Sequence, residues 1–166
     1  MRRPRQAAPT EEELRRPHLP TTPDELKAYI PYLLNRLTSS WNIDQNRALA
    51  EYSINVTVLR TLSVLHIHKT LTVNEIASYA IVEQSNASRT IDSMVADGLV
   101  EREIAETDLR RRKVALTRKG ERLLNEIWPL LVQKHQKLVG DIPARDLKAC
   151  AATLLAMIRN MGQTSD

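Results

Sequence analysis

Apolar residues recur at three- and four-residue spacing along most of the chain, and the spacing changes to alternation in one region. The first pattern marks helices with one buried face and the second marks half-buried strands. Leu26, Tyr29, Ile30, Leu33, Leu34, Leu37 and Trp41 define a first helix. It opens at Thr22-Pro23-Asp24-Glu25, with Thr22 as N-cap, proline in the first turn and Glu25 completing a capping box. Pro31 should bend this helix or break it early. The pattern fades near Ala50, and Asn55, a good N-cap, opens a second helix through Val58, Leu59, Leu62 and Leu65.

Thr72-Val73-Asn74-Glu75 is a second capping box, and a short helix with Ile76, Ala77 and Ala80 follows it. Ile81-Val82-Glu83 is a turn, and the next helix runs from about Gln84 to Asp97 with Ala87, Ile91, Met94 and Val95 facing inward. Gly98 ends it, as glycine does after a helix C-terminus. Two such helices on so short a link form a helix-turn-helix. Leu99 to Ile104 and Lys113 to Thr117 then alternate, with a polar, basic connector from Ala105 to Arg112. This is a β-hairpin, or wing.

Thr117 caps a further helix carrying Leu123, Leu124, Ile127, Leu130 and Leu131, with Pro129 as a kink point. It fades near Gly140-Asp141. The last helix, about Pro143 to Met161, carries Leu147, Cys150, Ala151, Leu154, Leu155, Ile158 and Met161. These terminal helices have more apolar positions than a small winged domain can cover. An isologous two-fold dimer is the simplest way to bury them. The fold class is mainly α with a small β-hairpin: a winged helix-turn-helix with N- and C-terminal dimerisation helices. The segments are a disordered arm over 1–22, an N-terminal dimerisation helix over 23–52, a winged helix-turn-helix over 53–117, C-terminal dimerisation helices over 118–162 and a tail over 163–166.

Composition narrows the function by exclusion. The chain has 166 residues, 42% hydrophobic and 27% charged, with one cysteine, no phenylalanine and four scattered glycines. A disulfide framework and a Cys-rich zinc site are excluded by the single Cys150. P-loop and dinucleotide-binding signatures need clustered glycines. No apolar run is long enough for a membrane span, and the first residues lack the apolar core of a secretory signal. A reducing, cytoplasmic location without membrane partners is expected.

The net charge is only +4, but its location is informative. From Asp108 to Arg122 seven basic residues face two acids, a net of +5, which leaves −1 for the rest. Arg110, Arg111 and Arg112 stand consecutively at the hairpin tip. Phosphates or a narrow minor groove would favour such crowded like charge. On the Gln84–Asp97 helix, Ser85, Asn86, Arg89 and Ser93 lie opposite the apolar stripe. Arginine pairs with guanine, asparagine with adenine, and serine with base edges or phosphate. A solvated helix face has the same polar character, so it is the adjacent wing that turns the reading towards double-stranded DNA. The arm carries Arg2, Arg3 and Arg5; a basic arm on nucleic acid and a solvated tail both fit it.

Residues 30–160 resemble the MarR family of transcriptional regulators. The wing Asp108-Leu109-Arg110…Val114-Ala115-Leu116-Thr117…Gly120 fits the family run D-x-R-x-x-x-V-x-L-T-x-x-G. Ser88-Arg89…Asp97-Gly98-Leu99-Val100-Glu101-Arg102 fits as well, as do Tyr32-Leu33-Leu34 and Asn55. Leu109 departs from the polar residue frequent there, with Arg111 and Arg112 beside it. The resemblance implies a triangular homodimer whose recognition helices enter major grooves about 34 Å apart on a pseudo-palindromic operator. It implies that Asp108 orients Arg110 in the wing, and that Ser88, Arg89 and Asn86 occupy recognition-helix positions. It also implies a repressor released by a small aromatic or anionic ligand, for which Tyr29, Tyr32, Arg36, Trp41 and His66 are candidates. The same residues fit a dimer core with a surface arginine.

His66 and His68 are two apart and share no helix face, so no metal site is expected. Cys150 is expected as a small buried hydrophobe. The reactive cysteine of redox-sensing relatives lies near the start of the first helix, where this chain has none. No catalytic residues and no cofactor are expected, because Ser, His and Asp lack any diagnostic spacing. The alternative to a DNA-binding regulator is a winged-helix module that docks on protein without sequence-specific DNA binding.

Overall fold

The structure, a computed structural model, describes residues 11–14, 19–104 and 112–162. The chain divides into two compact units, residues 1–61 and 62–166.

The first unit is helical. Inside the expected arm, Glu11–Leu14 forms a single turn, α1. The run expected as one helix is two, α2 (Pro23–Ala28) and α3 (Ile30–Leu49), with Tyr29 extended between them. Pro31 is the cause: it has no N–H for the carbonyl one turn back, and its ring crowds that position. Thr22 Oγ1 accepts from the Glu25 N–H at 3.2 Å, but the Glu25 carboxylate bonds Thr21 instead, through its N–H at 2.8 Å and its hydroxyl at 3.0 Å. The capping box is therefore displaced by one residue on its return arm. A 3₁₀ turn (Ala50–Tyr52) leads to α4 (Val56–His68), which crosses into the second unit. Asn55 Oδ1 accepts from the N–H groups of Thr57 and Val58, and Asn46 Oδ1 accepts from that of Val56. These side chains satisfy amides that the helix start leaves unbonded.

The second unit continues with β1 (Thr70–Thr72), α5 (Val73–Tyr79), α6 (Gln84–Ala96), β2 (Val100–Ile104), β3 (Arg112–Leu116), α7 (Arg118–Val139) and α8 (Ala144–Asn160). The strands form an antiparallel sheet in the order β1-β3-β2, with Leu71 opposite Val114 and Val100 opposite Leu116. Strand β1 is not visible in the hydrophobic pattern, because only its central Leu71 is buried. The Thr72–Glu75 capping box forms in full. Leu62, Leu65, Ile76, Ile91, Met94, Val100, Val114 and Ile127 are fully buried, and they pin the helix-turn-helix to the sheet and to α7. Two expectations are corrected. Val95 is 37% exposed rather than inward, and Cys150 is exposed rather than buried. Helix α8 carries no buried residue, and Leu154, Leu155 and Ile158 of its apolar stripe are exposed among the described residues.

Helices α5 and α6 stop in the same way. After α6, Gly98 has φ 68°; its N–H donates to the Val95 carbonyl, and the Leu99 N–H donates to that of Met94. After α5, Ile81 has φ 55°, and the bonds run from Ile81 to Ser78 and from Val82 to Ala77. This paired motif needs one left-handed residue, a conformation that costs an L-residue with a Cβ about 1–2 kcal/mol.

Candidate nucleic-acid interface

Helix α6 buries Ala87, Ile91 and Met94. The opposite side therefore exposes Gln84, Ser85, Asn86, Arg89 and Ser93, while Ser88 is half-buried beside the stripe. Arg89 has no ion-pair partner among the described residues. The structure thus gathers Ser85, Asn86, Arg89 and Ser93 on one open surface.

Three contacts hold that surface against the base of the wing. Arg102 on β2 is ion-paired with Asp92 on the outer side of α6. The ammonium of Lys119 donates to the Asp97 carbonyl at 2.7 Å, placing a cation at the negative end of the α6 dipole. The Thr117 hydroxyl donates to the Gly98 carbonyl at 2.7 Å and accepts from the Gly120 N–H at 3.1 Å. Gly120 has no room for a side chain, since a Cβ there would lie against the Leu99 carbonyl oxygen. Gln84 ties the start of α6 to α5 instead, donating from Nε2 to Asn74 Oδ1 at 2.7 Å. Apart from the Thr117–Gly120 cap, none of these pairings has a spacing that marks it in sequence; each depends on the fold bringing two elements together.

The wing strands pair from Val100–Leu116 to Ile104–Arg112. Lys113 on β3 is exposed, as are Arg118, Lys119 and Arg122 in the first turns of α7. Asp108, Arg110 and Arg111 lie outside the described residues, and Arg112 is described only as backbone in β3.

The candidate ligand residues separate. Tyr29, Tyr32, Arg36 and Trp41 belong to the first unit, with the three aromatics half-buried and Arg36 exposed. Tyr32 and Arg36 are one turn apart on the same face of α3. Trp41, nine residues beyond Tyr32, is turned about 180° from it at 100° per residue. His66 belongs to the second unit and is exposed. There it lines a cleft of about 260 Å³ with Ser63, Ile67, Leu124, Asn125 and Trp128. Ser63, His66 and Ile67 are i, i+3 and i+4 on α4, a spacing that signals a shared face. His68 points elsewhere and stacks on Tyr79 with ring centres 4.4 Å apart. Among the described residues no group of three or more His, Cys, Asp and Glu side chains is placed to hold a metal ion. Among them, too, no helix is long and apolar enough to cross a membrane.

Comparison with known proteins gives a consistent picture. Residues 52–111 match the sequence model of the MarR family. A MarR family transcriptional regulator from Silicibacter pomeroyi is 38% identical, with a TM-score of 0.79 over 87% of this chain and 97% of that one. A cysteine-to-serine mutant of MarR from E. coli, solved with operator DNA, is 23% identical, with a TM-score of 0.71 over 78% of this chain and 94% of that one. Bordetella bronchiseptica BpsR, whose DNA binding is regulated by 6-hydroxynicotinic acid, is 18% identical, with a TM-score of 0.67 over 81% of this chain and 98% of that one.

Proposed function

Because the chain belongs to the MarR family of transcriptional regulators, we propose that it is a homodimeric, sequence-specific DNA-binding repressor released by a small aromatic or anionic ligand. The observation that carries this reading is the open face of α6. Ser85, Asn86, Arg89 and Ser93 stand there over a fully buried stripe, beside a wing segment of charge +5. Helix α6 enters a major groove, where Asn86 and Arg89 read base edges and Ser85, Ser88 and Ser93 contact bases or phosphate. Arg110, Arg111 and Arg112 reach the neighbouring minor groove, with Asp108 orienting Arg110. The E. coli relative solved with operator DNA supports a DNA-binding reading.

Dimerisation uses the segments 23–52 and 118–162, on either side of the winged region 53–117. Leu154, Leu155 and Ile158 on α8 and Leu33, Leu34 and Leu37 on α3 are exposed in the single chain, and a second copy covers them. Ligand release has support from BpsR, regulated by an aromatic acid. In this chain Tyr32 and Arg36 offer a stacking face and a carboxylate partner one turn apart, with Tyr29 just before them, while Trp41 offers a further aromatic on the opposite side of α3. In the second unit the His66 cleft offers a polar tip among apolar walls.

Footprinting on the DNA flanking the protein's own gene tests the reading. Two protected half-sites about one helical turn apart are expected, with protection lost on adding one of a set of aromatic acids. Protection without sequence preference would overturn it in favour of a module that docks on protein.

A further inference from the structure

We propose that Ile81, in the turn of the helix-turn-helix, is a base-reading residue that takes up the C5 methyl group of one thymine in each half of the DNA site. The proposal rests on the DNA-binding reading above and adds a specificity residue outside α6.

The first observation is the backbone. The two helices of the motif end in the same pair of hydrogen bonds, and each ending has one residue in the left-handed region. At the end of α6 that residue is Gly98, which has no Cβ to clash. At the end of α5 it is Ile81, which is β-branched and disfavoured there. The turn geometry does not require isoleucine; glycine or asparagine would form it with less strain.

The second observation is packing. Ile81 is 79% exposed, so its side chain gains little from burial inside the chain. Its neighbours in the turn behave differently: Ala80 is buried and Val82 half-buried. A residue that strains the backbone and leaves 79% of its surface in solvent adds little to local structure or core. Strain of this kind gathers at functional sites.

The third observation is position. Ile81 precedes Gln84, the first residue of α6, by three positions, at the end of the helix where Ser85 and Asn86 are exposed. In this motif the N-terminal part of the recognition helix lies deepest among the base edges. A sec-butyl group makes no hydrogen bond. The apolar feature that base pairs present in the major groove is the thymine methyl. Hydrogen-bond readout from Asn86 and Arg89 would thus be complemented by apolar readout from Ile81.

The test uses the full-length protein and duplexes selected by it from a random pool. Each thymine of the selected site is then replaced by deoxyuridine, which deletes the methyl alone. Wild type should lose about fourfold in affinity at one thymine of a half-site, the value of one buried methyl-sized group. Ile81→Gly should bind the parent site as weakly as wild type binds that substituted site, and should be indifferent to the substitution there. Ile81→Asn, which also tolerates the left-handed backbone, should show the same indifference. Both variants should keep or raise the Tm, because strain is relieved. Methyl sensitivity unchanged in both variants would overturn the proposal, as would a wild-type site with no methyl-sensitive thymine. If wild type selects no sequence at all, the DNA-binding reading fails and takes this proposal with it.

Discussion

The hydroxyl of Thr117 donates to the carbonyl of Gly98 at 2.7 Å while accepting from the N–H of Gly120 at 3.1 Å. One side chain thus caps α7 and ties the end of α6 to the root of the wing. Thr117→Ala removes both bonds and should destabilise the protein by about 1–2 kcal/mol. That corresponds to a Tm lower by about 2–8 °C in a chain of this size. Thr117→Ser keeps the oxygen and should recover most of the loss. Thermal unfolding followed by circular dichroism measures both.

Gly120 is constrained by space, and its backbone is ordinary helix. A Cβ at this position meets the carbonyl oxygen of Leu99, which already accepts from the Thr117 N–H at 3.1 Å. Neither partner is a flexible side chain, so the clash cannot be relieved by a rotamer change. Gly120→Ala should cost about 1–3 kcal/mol, the range for overpacking. Urea unfolding should show a lower midpoint with an unchanged slope.

The ion pair between Asp92 and Arg102 is more exposed, at 58% and 33% of the side chain. Its removal by Asp92→Ala should therefore cost under about 1 kcal/mol. The difference in Tm from wild type should shrink as salt is raised from about 0.05 to about 1 M, because the Debye length falls over that range. A salt-independent loss would assign Asp92 to packing rather than charge.

Local signals of capping were legible in the sequence because each is closed within four residues. Thr72 with Glu75, Asn55 with Thr57 and Val58, and Thr117 with Gly120 all form their bonds. The buried stripe of α6 was legible for the same reason, apart from Val95 at its margin. What depends on a distant partner was not. Strand β1 exists because β3 offers an edge to Thr70–Thr72, and one apolar residue between two threonines has no period to detect. The Asp92–Arg102 and Lys119–Asp97 links need α6, β2 and α7 in place first. The left-handed Ile81 was hidden because its residue type argues against its conformation. Of the expected wing residues, Asp108, Arg110 and Arg111 fall outside the described residues.

Helix α8 makes a prediction about assembly. Leu155 is 46% exposed and lies beside Leu154 and Ile158 on a helix with no buried residue. In an isolated chain Leu155→Glu should cost little stability, because nearly half of the side chain is already exposed. In a dimer it places an unpaired carboxylate in the interface, at a cost of several kcal/mol. Sedimentation equilibrium should show wild type as a dimer and Leu155→Glu as a monomer at micromolar concentration. The Tm of wild type should rise with protein concentration, and that of the variant should not. A wild-type monomer would leave the α8 stripe without its proposed cover.

Arg89 and Arg110 separate the two halves of the proposed interface. Arg89 is exposed on α6 with no ion-pair partner among the described residues, over the buried Ala87 and Ile91. If it reads a base, Arg89→Ala should cost about 1–3 kcal/mol on the operator and relax preference at one position. Arg110 sits in the wing segment whose charge is +5. If it meets phosphate or a minor groove, Arg110→Ala should weaken binding to all sequences alike. It should also reduce the slope of log affinity against log salt by about one for each arginine lost. Titrations by fluorescence anisotropy at several salt concentrations, on operator and scrambled duplexes, distinguish the two effects. Wild-type operator affinity in the double variant would remove both residues from the interface.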